Sequence, residues 1–142
     1  MNHTCTFFGH RDCPSDIRSR LRETLVDLIE NRGVDFFYIG NQGQFDSYVR
    51  GILRKLAAKY PAISYAVVLA YMPQQTSECE DYSDTMLPEG IENIHPRYAI
   101  SWRNKWMLDR SDFVISYVTH SWGGAAKYVA DAKRHGKIVI PL

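Results

Sequence analysis

The sequence lacks any long apolar run, and this absence argues against a membrane protein. Nowhere do about 18 apolar residues follow one another, which is the length that a membrane-spanning helix requires. Residues 1–12, MNHTCTFFGHRD, also lack a basic segment followed by an apolar stretch of about 7 to 15 residues, the pattern of a secretion signal. We therefore expect a cytoplasmic protein without membrane association.

An excess of charge of one sign is also missing, and cysteine is scarce. The 17 Lys and Arg residues nearly balance the 16 Asp and Glu, so no overall positive field attracts a nucleic-acid backbone. We expect no nucleic-acid partner, and any anion must bind in a local pocket. Cys5, Cys13 and Cys79 are odd in number and lack the close paired spacing of a zinc site, which predicts thiols in a reducing compartment and no bound metal.

What the chain does have is the size and balance of one globular domain. Its 142 residues suffice for a sheet covered on both faces but not for two such domains. Hydrophobic residues make up 45% and charged residues 23%, which is far from the composition of disordered chains. No repeat or low-complexity linker interrupts the sequence, so we predict a single domain over residues 1–142.

Short continuous apolar runs alternate with amphipathic segments of helical spacing. The runs predict strands at residues 5–8, 36–39, 66–71, 113–118 and 137–140, and helices are predicted between residues 14 and 33, 45 and 60, 98 and 110, and 125 and 135. Continuous apolar strands between amphipathic helices are typical of a parallel sheet buried on both faces. The predicted fold class is α/β, a Rossmann-like three-layer domain with about five parallel strands in the order 3-2-1-4-5.

Residues 72–97 break this alternation. The stretch is polar and rich in acidic residues, and we expect a long acidic loop there. A connection of that length in a compact domain is typical of a lid, a partner surface or a mobile segment, and the sequence leaves these three interpretations open.

Three glycine-bearing loops follow predicted strands one, two and four, and they read GHRD, GNQGQ and THSWGGA. Ligands of open α/β sheets bind at the carboxyl ends of the strands where the order reverses, here beside strand one. Gly123 and Gly124 lie before a helix, whose unpaired amides and dipole favour a phosphate or carboxylate. The alternative is that the glycine pair only makes a tight turn.

Several side chains in or near these loops have the chemistry of nucleotide recognition. Arg11 can contact a phosphate, although a surface ion pair with Asp12 or Asp46 is the alternative. His10 and His120 can hydrogen-bond a ribose or base, and Tyr71 and Trp122 are candidates for stacking, whereas Trp102 and Trp106 read as core residues. The ligand-binding candidates from the loops are Gly9, His10, Arg11, Gly40, Asn41, Gly43, Tyr71, His120, Ser121, Trp122, Gly123, Gly124 and Ala125.

Three segments resemble the SLOG superfamily of Rossmann-like proteins, which groups LOG-type nucleotide phosphoribohydrolases, DprA-type proteins and small YpsA-like proteins. The segments are FFGHRDCP at 7–14, GNQGQFD at 40–46 and RNKWMLDRSDFVISYVTHSWGGAAK at 103–127, and together they are most similar to YpsA-like proteins. The resemblance implies a parallel sheet of five strands or slightly more and a site for a nucleotide or an ADP-ribose-type ligand. It does not by itself imply catalysis.

The LOG enzymes cleave an N-glycosidic bond with an arginine before the fourth strand and a glutamate in the pattern PGGxGTxxE. Arg103 matches that arginine and joins the ligand-binding candidates. In this chain Trp122 replaces the proline, Ala126 replaces the third glycine, and the glutamate position falls on Ala130 or on Val129. The catalytic carboxylate is therefore missing where these enzymes carry it, which favours binding over hydrolysis.

Two hypotheses from different functional classes follow. The first is a protein that senses or sequesters a nucleotide or ADP-ribose-type signal, with no other cofactor. The second is an N-glycosidase acting on nucleoside monophosphates, with Arg103 orienting the phosphate and Asp46 or Asp109 supplying the carboxylate, although both acids also suit helix ends. A protein-interaction adaptor is a third possibility. By analogy with relatives we expect a homodimer or a higher oligomer, formed through the exposed faces of the third and fourth helices.

Overall fold

The computed structural model describes residues 3–71 and 83–142, and it alternates strands and helices as the sequence predicts. The elements are β1 (His3–Gly9), α1 (Ile17–Asn31), β2 (Val34–Ile39), α2 (Gly43–Lys59), β3 (Ser64–Val68), β4 (Thr85–Met86), a 3₁₀ turn (Ile91–Asn93), α3 (Pro96–Asp109), β5 (Phe113–Tyr117), α4 (Gly124–Arg134) and β6 (Ile138–Pro141). Within the described ranges, no helix has the length and apolar character needed to span a membrane.

The six strands form one parallel sheet in the order β4-β3-β2-β1-β5-β6. The five predicted strands are all present in the predicted order, because predicted strands four and five are β5 and β6. The sixth strand, β4, extends the edge beside β3 and comes from the stretch that the sequence predicts to be loop. A strand of two residues is too short to form an apolar run, so the pattern of the sequence could not predict β4.

Asp84 fastens β4 to the rest of the domain. Its carboxylate accepts hydrogen bonds from Arg50 Nε at 2.9 Å and from the hydroxyl of Tyr65 at 2.9 Å. Burial alone would raise the pKa of Asp84, but these bonds and the charge of Arg50 outweigh it and lower the pKa. Residues 83–97 thus carry a strand, a 3₁₀ turn and the start of α3, while residues 72–82 of the predicted acidic loop lie outside the described residues.

Alternation along the central strands builds two cores. In β1, Cys5 and Phe7 face one side of the sheet and Phe8 faces the other, because successive side chains of a strand point to opposite faces. The first core packs against α1 and α2, which bury Ile17, Leu21, Leu25 and Leu28 and Phe45, Val49, Leu53 and Leu56 at helical spacing. The second core packs against α3 and α4, so the sheet is covered on both faces.

Two of the three cysteines lie in or beside the first core. Cys5 and Cys13 are buried thiols without a disulfide, and burial raises the pKa of both. A thiol that stays protonated is a poor nucleophile and a poor metal ligand, so these two residues act in packing. Cys79 lies outside the described residues.

Gly9 ends β1 where α2 crosses the sheet, and the two elements are in close contact there. A Cβ atom on Gly9 would lie 2.3 Å from Cδ2 of the buried Phe45 ring. We expect Gly9→Ala to lower the free energy of unfolding by about 1–3 kcal/mol, because a packed ring must move to admit the methyl group. Urea denaturation followed by circular dichroism measures the change.

Gly51→Ala is the matched control. Gly51 lies inside α2 with no heavy atom within 4 Å of a Cβ. Alanine is favoured over glycine in a helix, so this variant is expected to gain about 0.5–1 kcal/mol. Equal stability of the two variants would contradict the close approach of β1 and α2.

Candidate functional site

A cleft of about 630 Å³ opens at the carboxyl ends of the central strands, where the chain order reverses beside β1. Sites for small molecules in proteins have volumes of about 300–1,000 Å³, so the cleft suits a ligand of nucleotide size. Its walls come from the loops after β1, β2 and β5 and from α3 and α4. The lining residues are Phe7, Phe8, Gly9, His10, Arg11, Asp12, Gly40, Gln42, Asp46, Ile100, Arg103, Asn104, Met107, Thr119, His120, Trp122, Gly123, Gly124, Ala125 and Tyr128.

Most of the residues predicted from sequence as ligand-binding line this cleft. They are Gly9, His10, Arg11, Gly40, Arg103, His120, Trp122, Gly123, Gly124 and Ala125. Asp46, one of the two carboxylates considered for catalysis, lines it as well. The structure therefore brings together loops that are about 110 residues apart in the chain, as the parallel topology requires.

The other predicted residues lie elsewhere or act indirectly. Asn41 does not line the cleft, but its amide oxygen accepts a hydrogen bond from Arg103 at 3.0 Å. Tyr71 is exposed outside the cleft, and its hydroxyl donates to the Pro96 carbonyl at 2.9 Å. Ser121 in the loop after β5 and Asp109 at the end of α3 are both exposed, and neither lines the cleft.

Several lining residues of α3 and α4 were missed at the level of sequence. Ile100, Asn104 and Met107 surround Arg103 on α3 at spacings of three and four residues, which places all four on one helix face. Once Arg103 is a candidate, this spacing is the sequence signal that could have identified the other three residues of α3 as lining the cleft. Tyr128 lies four residues after Gly124 on α4, and its hydroxyl donates to the Ser101 carbonyl at 3.3 Å, which joins the two helices.

Gly43 acts on the cleft by holding the loop after β1. It has a φ of +88°, and a Cβ there would lie 2.7 Å from the Cα of Arg11. The amide of Gln44 donates to the Arg11 carbonyl at 2.9 Å. The beginning of α2 therefore supports the segment that carries His10 and Arg11, and only glycine fits at the contact.

The beginning of α4 presents unpaired amides to the cleft. Gly123 is the N-cap, with a φ of +95° that side chains rarely adopt, and no side chain caps the helix. The first amides of a helix have no partner inside the helix, and the helix dipole adds positive potential there. Gly123, Gly124 and Ala125 thus offer hydrogen-bond donors of the kind that bind phosphate.

Arg103 is a buried cation at the base of the cleft. Its side chain is only 1% exposed, and Nη1 donates to Asn41 Oδ1 at 3.0 Å and to the Val68 carbonyl at 2.7 Å. It forms no ion pair with any carboxylate among residues 3–71 and 83–142. Burial lowers the pKa of the guanidinium while nearby Asp46 opposes that effect, and an arginine stays charged in either case.

The remaining nitrogen of this guanidinium is available to a ligand. Nε of Arg103 donates to Asn104 Oδ1 at 2.9 Å, and Nη2 makes no hydrogen bond within the described part of the chain. No fully buried side-chain nitrogen or oxygen in that part lacks a partner. Nη2 is therefore not fully buried, and because Arg103 lines the cleft this nitrogen can donate to an anion there.

Asp46 supplies a carboxyl group with altered acidity. Its Oδ2 accepts the amide of Gln42 at 3.0 Å and lies so near Gly40 that a Cβ there would approach it to 2.7 Å. Burial raises the pKa of Asp46 to about 6, against the opposing effects of the Gln42 amide and Arg103. A carboxyl group with a raised pKa in a cleft is typical of functional sites, although structural networks also produce one.

Three aromatic rings form a parallel column along the cleft. The rings of His10 and His120 are 3.7 Å apart with an interplanar angle of 15°, and those of His120 and Trp122 are 3.8 Å apart at 17°. Burial and the neighbouring His120 both lower the pKa of His10. His10 is therefore neutral at neutral pH, and its Nε2 accepts the amide of Thr119 at 2.8 Å.

Comparison with known proteins bears on the fold. No known protein-family profile matches the chain, and no curated protein matches it. Among solved structures it is similar to the X-ray structure of DNA processing protein A (DprA) from Streptococcus pneumoniae, with a TM-score of 0.70 and 14% identity. The chain has a DprA-like fold.

The match covers 98% of this chain and 50% of the DprA chain, so the protein spans half the length of that relative. At 14% identity the likeness concerns the fold alone. It confirms the Rossmann-like α/β architecture that the SLOG resemblance implied. The similarity to YpsA-like proteins, the identity of the ligand and the absence of a nucleic-acid partner stay predictions.

The acidity of Asp46 makes a prediction about stability. The pKa of Asp46 is about 6 in the native state and near 3.8 in the unfolded state. The buried charge therefore lowers the free energy of unfolding fully above about pH 6, and this effect disappears below about pH 4. We expect Asp46→Asn to raise the free energy of unfolding at pH 7.5 by up to about 3 kcal/mol, since each pKa unit corresponds to about 1.4 kcal/mol. The gain should vanish near pH 4.

Urea denaturation from pH 4 to pH 8 tests this prediction, with Asp109→Asn as the control. Asp109 is exposed and lies outside the cleft, so its replacement should change stability by less than about 0.5 kcal/mol at every pH. A constant difference between wild type and Asp46→Asn across the range would contradict the raised pKa.

Proposed function

We propose that the chain is a SLOG-type protein, similar to the small YpsA-like members, that binds a nucleotide or a nucleotide-derived ligand such as an ADP-ribose compound. The ligand lies in the cleft, and the protein acts as its sensor or sequesters it. One observation carries the proposal: a buried arginine that forms no ion pair with any described residue lines the same cleft as the beginning of α4, which no side chain caps. A site with two such sources of positive potential suits an anion.

The two donors complement each other in phosphate recognition. Arg103 offers Nη2 from the base of the cleft, and the amides of Gly124 and Ala125 offer donors from the start of α4. Arg11 is exposed at the rim and can add a third, more screened contact. Charge-assisted hydrogen bonds to phosphate are among the stronger polar contacts, so a phosphate is the part of the ligand expected to anchor it.

A helix-compatible substitution can test the contribution of the α4 amides. Gly124 is the first residue of α4, and a Cβ there meets no heavy atom within 4 Å. Proline is well tolerated at this position of a helix, but it removes the amide donor. We expect Gly124→Pro to weaken binding of adenosine monophosphate or ADP-ribose about 10-fold or more in calorimetry, whereas Gly124→Ala keeps the amide and binds as wild type does.

The ligands tested by calorimetry should also include cyclic dinucleotides and a single-stranded oligonucleotide. The oligonucleotide is included because the similar structure is that of a DNA processing protein. The near-neutral balance of charges favours the small ligands over the oligonucleotide. If folded wild-type protein at micromolar concentration bound none of these compounds, the proposed function would be wrong. Equal affinity of Gly124→Pro and Gly124→Ala for the ligand would mean that the Gly124 amide does not contact it.

A second candidate function is hydrolysis of the N-glycosidic bond of nucleoside monophosphates. The observation in its favour is that Asp46 lines the cleft together with Arg103 and has a raised pKa. A carboxylate so placed can activate water or stabilise the positive charge that develops on the sugar. Ala130 and Val129 provide no such group at the position where the LOG enzymes carry glutamate.

Release of free base from nucleoside 5′-monophosphates measures this activity. The hydrolase interpretation predicts that Asp46→Asn lowers base release at least about 100-fold while ligand binding remains, because general acid–base groups typically contribute about 10²- to 10⁴-fold. Asp109→Asn should have no effect. Absence of base release by the wild type would leave binding as the function of the cleft.

A further inference from the structure

The column of His10, His120 and Trp122 ends in an open aromatic face. Trp122 is 71% exposed, although an exposed tryptophan costs free energy in water, and it lines the cleft. One face of its ring is covered by His120 at a centroid distance of 3.8 Å. The stack therefore has two closed interfaces, and the exposed face of Trp122 is the end that lies toward the ligand cleft.

Hydrogen bonds hold the two histidine rings in place. The Thr119 amide donates to His10 Nε2 at 2.8 Å, and His120 Nδ1 donates to the Trp122 carbonyl at 2.8 Å. The His10 amide in turn donates to the Tyr117 carbonyl at the end of β5 at 3.1 Å. Since the supporting rings are already ordered, a ring that stacks on Trp122 meets a platform whose ordering cost is small.

The hydrogen-bond donors in the cleft indicate which kind of ligand suits the open face of Trp122. A tryptophan face attracts both planar rings and organic cations. The cleft is lined by Arg11, Arg103 and the start of α4 as well as by the carboxylates of Asp12 and Asp46, and the buried Arg103 and the α4 amides are the donors in it that suit an anion. A planar ring attached to an anion meets both the aromatic face and the donors, and Trp122 directly precedes the glycine pair at the start of α4.

We propose that Trp122 is the base subsite of the cleft, where the heteroaromatic ring of the ligand extends the His10–His120–Trp122 column. This inference rests on the proposed function and adds a specificity: the protein distinguishes nucleotides from phosphorylated sugars that lack a heteroaromatic base. Tyr71, the other aromatic candidate at a strand end, lies outside the cleft and takes no part.

Two probes, one with and one without the adenine base, distinguish the base subsite from the phosphate subsite. Adenosine 5′-monophosphate carries phosphate, ribose and adenine, and ribose 5-phosphate carries the same phosphate and ribose with a hydroxyl group in place of adenine. Stacking of a base on an aromatic side chain changes affinity about 5- to 100-fold, so wild type should bind the first probe tighter than the second by that factor. Trp122→Ala should lose this difference by weakening adenosine monophosphate alone, and Trp122→Phe should keep part of it.

Tyr98→Ala is the matched control, because Tyr98 is also a large exposed aromatic residue but lies outside the cleft. It should bind both probes as wild type does. Tryptophan fluorescence supplies an independent readout: adenosine monophosphate should quench it in wild type but not in Trp122→Phe, which retains Trp102 and Trp106.

The possible outcomes distinguish this inference from the proposed function. Equal affinity of wild type for the two probes, or equal weakening of both by Trp122→Ala, overturns the base subsite and leaves the phosphate site intact. Binding of neither probe overturns both. A preference for adenosine monophosphate that survives in Trp122→Ala places the base elsewhere and also overturns the inference.

Discussion

The buried guanidinium of Arg103 is the interaction on which the arrangement of the cleft depends. It joins the end of β3, through the Val68 carbonyl, to the loop after β2, through Asn41, and to its own helix α3. A charge taken out of water is costly unless polar groups replace its hydration. Here neutral oxygens accept its hydrogen bonds, and the nearby Asp46 offsets part of the cost of burial, so the positive charge is kept where the strand order reverses.

The loops around that point are held by contacts with one another as well as with the sheet. Gln44 at the start of α2 binds the backbone of Arg11, and the His10 side chain binds the loop after β5 through Thr119. Glycine is required where α2 meets the first loop, at Gly43. Such mutual support orders the walls before any ligand arrives, which reduces the free-energy cost of binding.

A shared fold leaves the chemistry of the cleft open, because different residues can occupy the same loops. The LOG pattern and this chain agree at the glycine pair and at Arg103, which are the groups suited to an anion. They differ where the LOG enzymes carry proline and glutamate, since this chain has Trp122 and, farther along α4, Ala130. The contrast favours recognition of a ring over the catalysis of those enzymes, while Asp46 is the carboxyl group by which this chain could still catalyse hydrolysis.

The sequence alone determined the type and order of the main elements and three of the loops around the cleft. Apolar periodicity is a local property, and the handedness of parallel connections then leaves few topologies. Tertiary packing alone decided which carboxyl group faces the cleft, because Asp46 and Asp109 both lie in terminal turns of helices and only the space beside Gly40 distinguishes them. It also decided that His10 and His120 stack, since ring contacts between residues so distant in the chain leave no periodic signal.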